Sequence, residues 1–166
     1  GEKAIYTFNS FVDLSEETEV EFTAFTSLPN DSDPSDDSKT VTIFNTNMYT
    51  IFFRTQHNFA AAGQSHFTTI NFPEKMDSVS QIRLYITLYC PSGGCDPWDQ
   101  PARVSLIKDN HKYEIARYIT PYGKGCGPWV VDITDFKSLL TGSCEFESYI
   151  QVWGASGWLV TIEMEF

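Results

Sequence analysis

Apolar and polar side chains alternate with a period of two along most of the chain. Ile82, Leu84, Ile86 and Leu88 alternate with Arg83, Tyr85, Thr87 and Tyr89. Trp158, Val160, Ile162, Met164 and Phe166 alternate in the same way with Leu159, Thr161, Glu163 and Glu165. A period of two sends successive side chains to opposite faces of a strand, so each run turns one face to a core. Further strand-like runs lie at Ala4–Phe8, Glu19–Phe25, Thr40–Phe44, Tyr49–Phe53, Ser65–Phe72, Ala102–Ile107, Tyr113–Ile119, Trp129–Ile133 and Phe146–Trp153, separated by turn residues. Many short strands with little helical periodicity predict an all-β fold, an antiparallel jelly roll or β-sandwich. The one helical turn expected is Asp135–Leu140, capped from Thr134 or Asp135 and stopped at Gly142.

The alternation breaks between Pro29 and Ser38, where the run is too polar and charged to pack. The predicted organisation is therefore a single domain with an N-terminal extension: a strand-forming arm over 1–28, an acidic flexible loop over 29–39 and a jelly roll over 40–166. The arm is a candidate for self-association by strand addition. Asp31, Asp33, Asp36 and Asp37 invite comparison with calcium loops, but no glycine or terminal glutamate sits where an EF-hand needs it, so a solvated loop is expected. Asn30-Asp31-Ser32 is a glycosylation sequon in the same loop.

Charge removes several function classes. The 166 residues carry a formal net charge of −11 with 11 Lys+Arg, which argues against nucleic acid and anionic membrane surfaces because both need a basic patch. No apolar run is long enough to span a bilayer as a helix.

Four cysteines in turns beside strands, Cys90, Cys95, Cys126 and Cys144, suit two disulfides, with Cys90–Cys95 and Cys126–Cys144 the preferred pairing. Zinc is the rival use of these thiols, but their spacing is loose and no histidine lies near the second pair. Disulfides place the protein in a secreted or extracellular compartment, or in a periplasm, and the polar start at Gly1 fits a chain whose signal has been removed.

The densest chemistry lies in Cys90-Pro-Ser-Gly-Gly-Cys95-Asp96-Pro97-Trp98-Asp99, between two strands. A covalently closed loop that holds an indole beside two carboxylates is a good framework for binding or catalysis. The plainer alternative makes Trp98 a core anchor and gives Asp96 and Asp99 turn hydrogen bonds. His57, His66 and His111 are scattered; His57 and His66 could meet across a hairpin near Gly63, but two histidines do not make a copper site, and surface or loop positions are expected. No Ser-His-Asp order, phosphate loop or HExxH run occurs, and no metal or other cofactor is expected.

Three ordered blocks carry a family resemblance. Cys90-x4-Cys95-Asp96-x-Trp98-Asp99, Tyr113-Glu114-Ile115-x-Arg117-x-Ile119-Thr120-Pro121-Tyr122 and Asp132-Ile133-Thr134-Asp135-Phe136-Lys137-Ser138-Leu139-Leu140-x-Gly142 resemble the N-terminal jelly roll of the peptide:N-glycosidase F family, over about residues 49–166. The family's fold is a pair of eight-stranded jelly rolls, and its activity is hydrolysis of the amide between an N-glycan and asparagine. The resemblance implies that Asp99 is the catalytic carboxylate if the protein is active, with Trp98 walling off water beside it.

Two departures follow from the same comparison. Gln151 stands where the family carries a second functional glutamate, and Gln100 where an arginine follows the catalytic aspartate. The chain as given closes on the last strand of the first jelly roll, so the family's second domain has no counterpart in it. These departures lead to the expectation of a secreted, non-catalytic binding or assembly module for N-glycans, glycoproteins or extracellular proteins. The alternative is half of an N-glycan amidase. Asp96, Trp98, Gln151 and Trp153, with Tyr122, are the expected binding residues.

Overall fold

The structure, a computed structural model, describes residues 19–25, 35, 37–44, 47–59, 63–77, 79–153 and 156–166. The expected strand at Ala4–Phe8, the sequon asparagine Asn30 and the loop aspartates Asp31, Asp33 and Asp36 lie outside the described residues. Two compact units divide between Thr46 and Asn47. In the first, β1 (Glu19–Phe25) and β2 (Ser38–Phe44) form an antiparallel pair, with Phe22 opposite Val41. Thr40–Phe44, expected in the sandwich, instead completes this two-stranded ladder.

The second unit is an eight-stranded jelly roll. Its strands are β3 (Met48–His57), β4 (Ser65–Asn71), β5 (Arg83–Tyr89), β6 (Pro101–Lys108), β7 (His111–Ile119), β8 (Cys126–Asp132), β9 (Ser143–Ile150) and β10 (Trp158–Glu165). They form two antiparallel sheets in the orders β3-β10-β5-β8 and β4-β9-β6-β7. The β6–β7 hairpin alone stays within one sheet; every other connection crosses between them, which traps the inward side chains in one layer. Leu84, Ile86 and Leu88, Val160, Ile162 and Met164, Val104 and Leu106, and Phe146 and Ile150 fill it, none more than 1% exposed. Burying each such side chain contributes roughly 1.5–3 kcal/mol against about 1–2 kcal/mol per residue of backbone ordering, so the alternation read from sequence is what drives the fold.

At one end of the sandwich β3, β5, β7 and β9 finish, and loops 58–64, 90–100, 120–125 and 151–157 leave the sheets. The opposite end is closed by the Asp109–Asn110 turn, with both φ angles positive, and by a 3₁₀ helix at Thr134–Leu139. That helix starts a residue before the expected turn and has no side-chain cap. The Thr134 hydroxyl is occupied elsewhere: it accepts the Ile82 N–H at 2.9 Å and donates to Asp132 at 2.6 Å.

The cysteine pairing is half corrected. Cys90 and Cys95 form a disulfide, whereas Cys126 and Cys144 are free thiols. Cys126 opens β8 opposite Leu88 in one sheet, and Cys144 lies opposite Ile70 in the other sheet, towards the opposite end. Burial raises the pKa of both thiols, and Cys144 points its Sγ at the carbonyls of Leu139 and Thr141. The expectation that the histidines sit on the surface or in loops also fails for His57, which is fully buried at the end of β3.

Candidate functional site

The Cys90–Cys95 loop is anchored by backbone as well as by sulfur. Asp96 is completely buried and acts as its rivet. Its N–H donates to the Gly157 carbonyl at 3.1 Å, its own carbonyl accepts the Gly123 N–H at 2.9 Å, and its Oδ1 accepts the Trp98 N–H at 3.0 Å. One residue thereby ties the loops at 90–100, 120–125 and 151–157 together. Four residues on, Gln100 is also buried and bonded twice to Thr120: its N–H donates to Oγ1 at 2.8 Å, and its carbonyl accepts the Thr120 N–H at 2.9 Å. Asp96 therefore fills a turn-forming role and faces inward, which corrects its expected place among the binding residues.

Between these two anchors Trp98 and Asp99 project outward. Trp98 is 63% exposed, which excludes the core-anchor alternative for it, and Asp99 is exposed beside it. Tyr122 lies near Asp99, whose carboxylate raises the tyrosine's pKa by accepting from the neutral phenol and by its negative charge. On the neighbouring loop Trp153 is exposed and packs against exposed Phe59, ring centroids 6.3 Å apart. Phe59 escaped the sequence reading because a single aromatic in an alanine-rich loop carries no local signal. Gln151 is half-buried; its N–H donates to the Pro101 carbonyl at 3.1 Å, and it lines a groove with Arg103, Arg117 and Tyr149. The structure thus joins Asp99 with Tyr122 and Trp153 with Phe59, turns Asp96 inward and sets Gln151 in the groove.

A buried polar cluster supports this end from below. Gln64 O can only accept, so His57 Nδ1 carries the proton and donates to it at 3.0 Å, and Nε2 accepts from the Ser148 hydroxyl at 3.0 Å. The His66 ring packs edge-on at 4.7 Å. Burial, against which the Gln64 bond works only partly, lowers the His57 pKa to about 4. His57 is therefore a neutral structural group, and the two histidines do meet, not across a hairpin but between β3 and β4 of the two facing sheets. Among the described residues no group of three or more His, Cys, Asp or Glu side chains could hold a metal ion. No helix there is long and apolar enough to cross a membrane.

The family described as "Peptide-N-glycosidase F, N terminal" matches residues 107–166. Over 101 residues the chain is 40% identical to the peptide-N(4)-(N-acetyl-beta-D-glucosaminyl)asparagine amidase F of Elizabethkingia miricola, covering 57% of this chain and 28% of that protein. The solved structure of PNGase F, a glycosylasparaginase from Flavobacterium meningosepticum, superposes with a TM-score of 0.68 at 34% identity, over 73% of this chain and 41% of that one. The body of this chain is similar in sequence and fold to the N-terminal domain of peptide-N-glycosidase F. A structure of PNGF-II shares the fold, with a TM-score of 0.60 at 13% identity, over 72% of this chain and 33% of that one. The chain thus spans less than half the length of the peptide-N-glycosidase F relatives it matches. The family match includes Gln151 and Trp153, at the end of β9, and begins after the Cys90–Asp99 loop.

Proposed function

We propose that the loop end of this jelly roll recognises N-glycosylated protein outside the cytosol, binding it without hydrolysing the glycan–asparagine amide unaided. The observation that carries this reading is the carboxylate inventory of the four loops. They hold two acids, Asp96 and Asp99, and Asp96 is buried and committed to holding the loops together. Amide hydrolysis needs groups that activate water and protonate the leaving nitrogen, each worth about 10²- to 10⁴-fold in rate. Gln151 binds but does not exchange a proton in this pH range. Binding asks less: Trp98 and Trp153 offer apolar faces on which a sugar ring stacks, and Asp99 and Tyr122 offer hydrogen bonds to hydroxyls and amides. The Cys90–Cys95 disulfide fits an oxidising compartment.

The second reading, one half of an amidase site, is favoured by the Asp99–Tyr122 interaction and by the activity in the relatives' names. In it Asp99 orients the attacking water and Trp98 shields it.

Titration of a denatured N-glycoprotein into the chain, by calorimetry with mass spectrometry of the mixture, separates the two. Recognition predicts saturable binding that drops about tenfold or more in Trp98→Ala, survives Asp99→Asn within a few-fold, and releases no glycan. Conversion of glycosylated asparagine to aspartate by the wild-type chain, abolished in Asp99→Asn, would replace recognition with catalysis.

A further inference from the structure

We propose that the groove beside Gln151 is a subsite for a carboxylate, either on the glycan or on the peptide that carries it. The inference deepens the reading of this end as a glycoprotein-binding surface and rests on it. Arg103 of β6 and Arg117 of β7 are direct partners across the ladder, and Tyr149 of β9 is the partner of Arg103 on its other side. Directly opposed residues in an antiparallel pair bring their Cβ atoms to about 4.5–5.5 Å, and like charges there repel. The fold compensates with a carboxylate for each arginine. Arg117 Nε and Nη2 donate to the two oxygens of Glu114 at 2.7 and 2.8 Å. Arg103 stacks its guanidinium 3.8 Å from the centre of the Tyr149 ring and turns Nε towards the buried Glu147 at 3.7 Å. Glu147 is also held by Lys112 and by the Ser65 hydroxyl.

These contacts occupy one edge of each guanidinium. Among the described residues, Arg117 Nη1 and both Arg103 Nη groups carry no hydrogen bond. The two arginines line a groove of about 150 Å³ with Pro101, Ala102, Tyr149 and Gln151. A planar carboxylate suits two guanidinium forks, the Gln151 amide supplies a neutral donor, and the Tyr149 ring supplies a flat wall. The glutamine is informative: a glutamate at this position would occupy the free guanidinium edges itself, whereas Gln151 leaves those N–H donors for a ligand. A chain of net charge −11 repels anions at long range, so the preference comes from short-range contacts that salt weakens.

The test uses the whole chain and three glycopeptides of equal length: a neutral glycan on a neutral peptide, the same glycan on a peptide with flanking Asp and Glu, and a sialylated glycan on the neutral peptide. Affinities are measured for the wild type and for Arg117→Gln, whose side chain is well exposed, at low and high salt. The expected result is about a tenfold preference for one acidic ligand, the size of one charge-assisted hydrogen bond, reduced to within twofold in Arg117→Gln and at high salt. Whichever acidic ligand gains identifies the carboxylate's source. Equal binding of all three, or a preference unchanged in Arg117→Gln, overturns the subsite. If none of the three binds, glycoprotein recognition fails, and an acetate titration followed on the Arg103 and Arg117 Nε–H NMR signals decides the groove alone. Saturable shifts that vanish in Arg117→Gln uphold it; no shifts overturn it.

Discussion

The two ends of the jelly roll are closed by different means, and the difference decides what each can present. At the 3₁₀-helix end, side chains hold the backbone: Lys108 Nζ donates to the carbonyls of Thr141 and Ser143, and Lys137 Nζ to that of Val79. Ile133 and Leu140 turn inward there. At the loop end main-chain bonds of Asp96, Gln100 and Gly157 do most of the holding, helped by the side chains of Asp96, Thr120 and Gln64 and by one disulfide. Trp98, Asp99, Tyr122 and Trp153 have no structural duty to the core and face solvent. Loops fixed by main-chain bonds leave their side chains available for recognition.

The comparison can be broken most severely by backbone substitution. Gly157 has φ of 62°, and a Cβ there would lie 1.7 Å from the His57 carbonyl oxygen. Gly157→Ala should cost about 4 kcal/mol or more in urea unfolding, against about 3 kcal/mol for Leu140→Ala, a cavity at the other end. A mild Gly157→Ala would mean that the loop end is less tightly fixed than its hydrogen bonds indicate.

Acid should separate the ends next. His57 has a folded pKa of about 4 against 6.5 unfolded, so the unfolded chain binds more protons between these values. The stabilisation is complete above pH 6.5, is lost as pH falls towards 4, and amounts to about 3 kcal/mol. At the other end Asp132 is held at about 2, mainly by hydrogen bonds from Thr134 and Gln81, so its contribution is lost only below the ordinary aspartate range. Urea midpoints between pH 7 and 4 should slope in the wild type and flatten in His57→Gln; equal slopes would assign the effect to another group.

Removing the disulfide with Cys90→Ser and Cys95→Ser together should cost about 2 kcal/mol on the chain-entropy model. Amide exchange should rise in 90–100 and hardly change at Thr134–Leu139. A uniform rise would show that the ends are not independent. The smallest effect on stability should come from Trp98→Ala, within about 0.5 kcal/mol for so exposed a side chain. A loss of several kcal/mol would reclassify Trp98 as a packing residue.

The strands of the sandwich were legible because β5 and β10 are central, with one face in the core, and central strands keep strict alternation. The Cys90–Cys95 closure was legible because both partners sit in one short loop. Cys126 with Cys144 was not, since turn position says nothing about which sheet or which end a cysteine occupies. The burial of His57 depends on Ser148, 91 residues away, so no window of sequence contains it. Asp96 has the same residue type as Asp99, yet one is an internal rivet and the other a surface carboxylate. What separates them is the main chain of Gly123 and Gly157, supplied by two other loops. The Arg103–Arg117 pairing depends on the β6–β7 register, which shifts between Val104 and Ser105, and such irregularities leave no trace in the pattern.

The outer strands of the sheet β3-β10-β5-β8 bear on strand addition between molecules. An unpaired strand edge is a template for a neighbouring molecule, and intermolecular ladders need an uninterrupted row of N–H and C=O groups. On β8 that row is interrupted by Pro128, which has no N–H to give. On β3 it is disturbed at Arg54, whose φ of 46° and N–H bond to the Thr161 hydroxyl accompany the shift in register against β10. Both margins of this sheet are thus poor templates for strand addition by a neighbouring molecule.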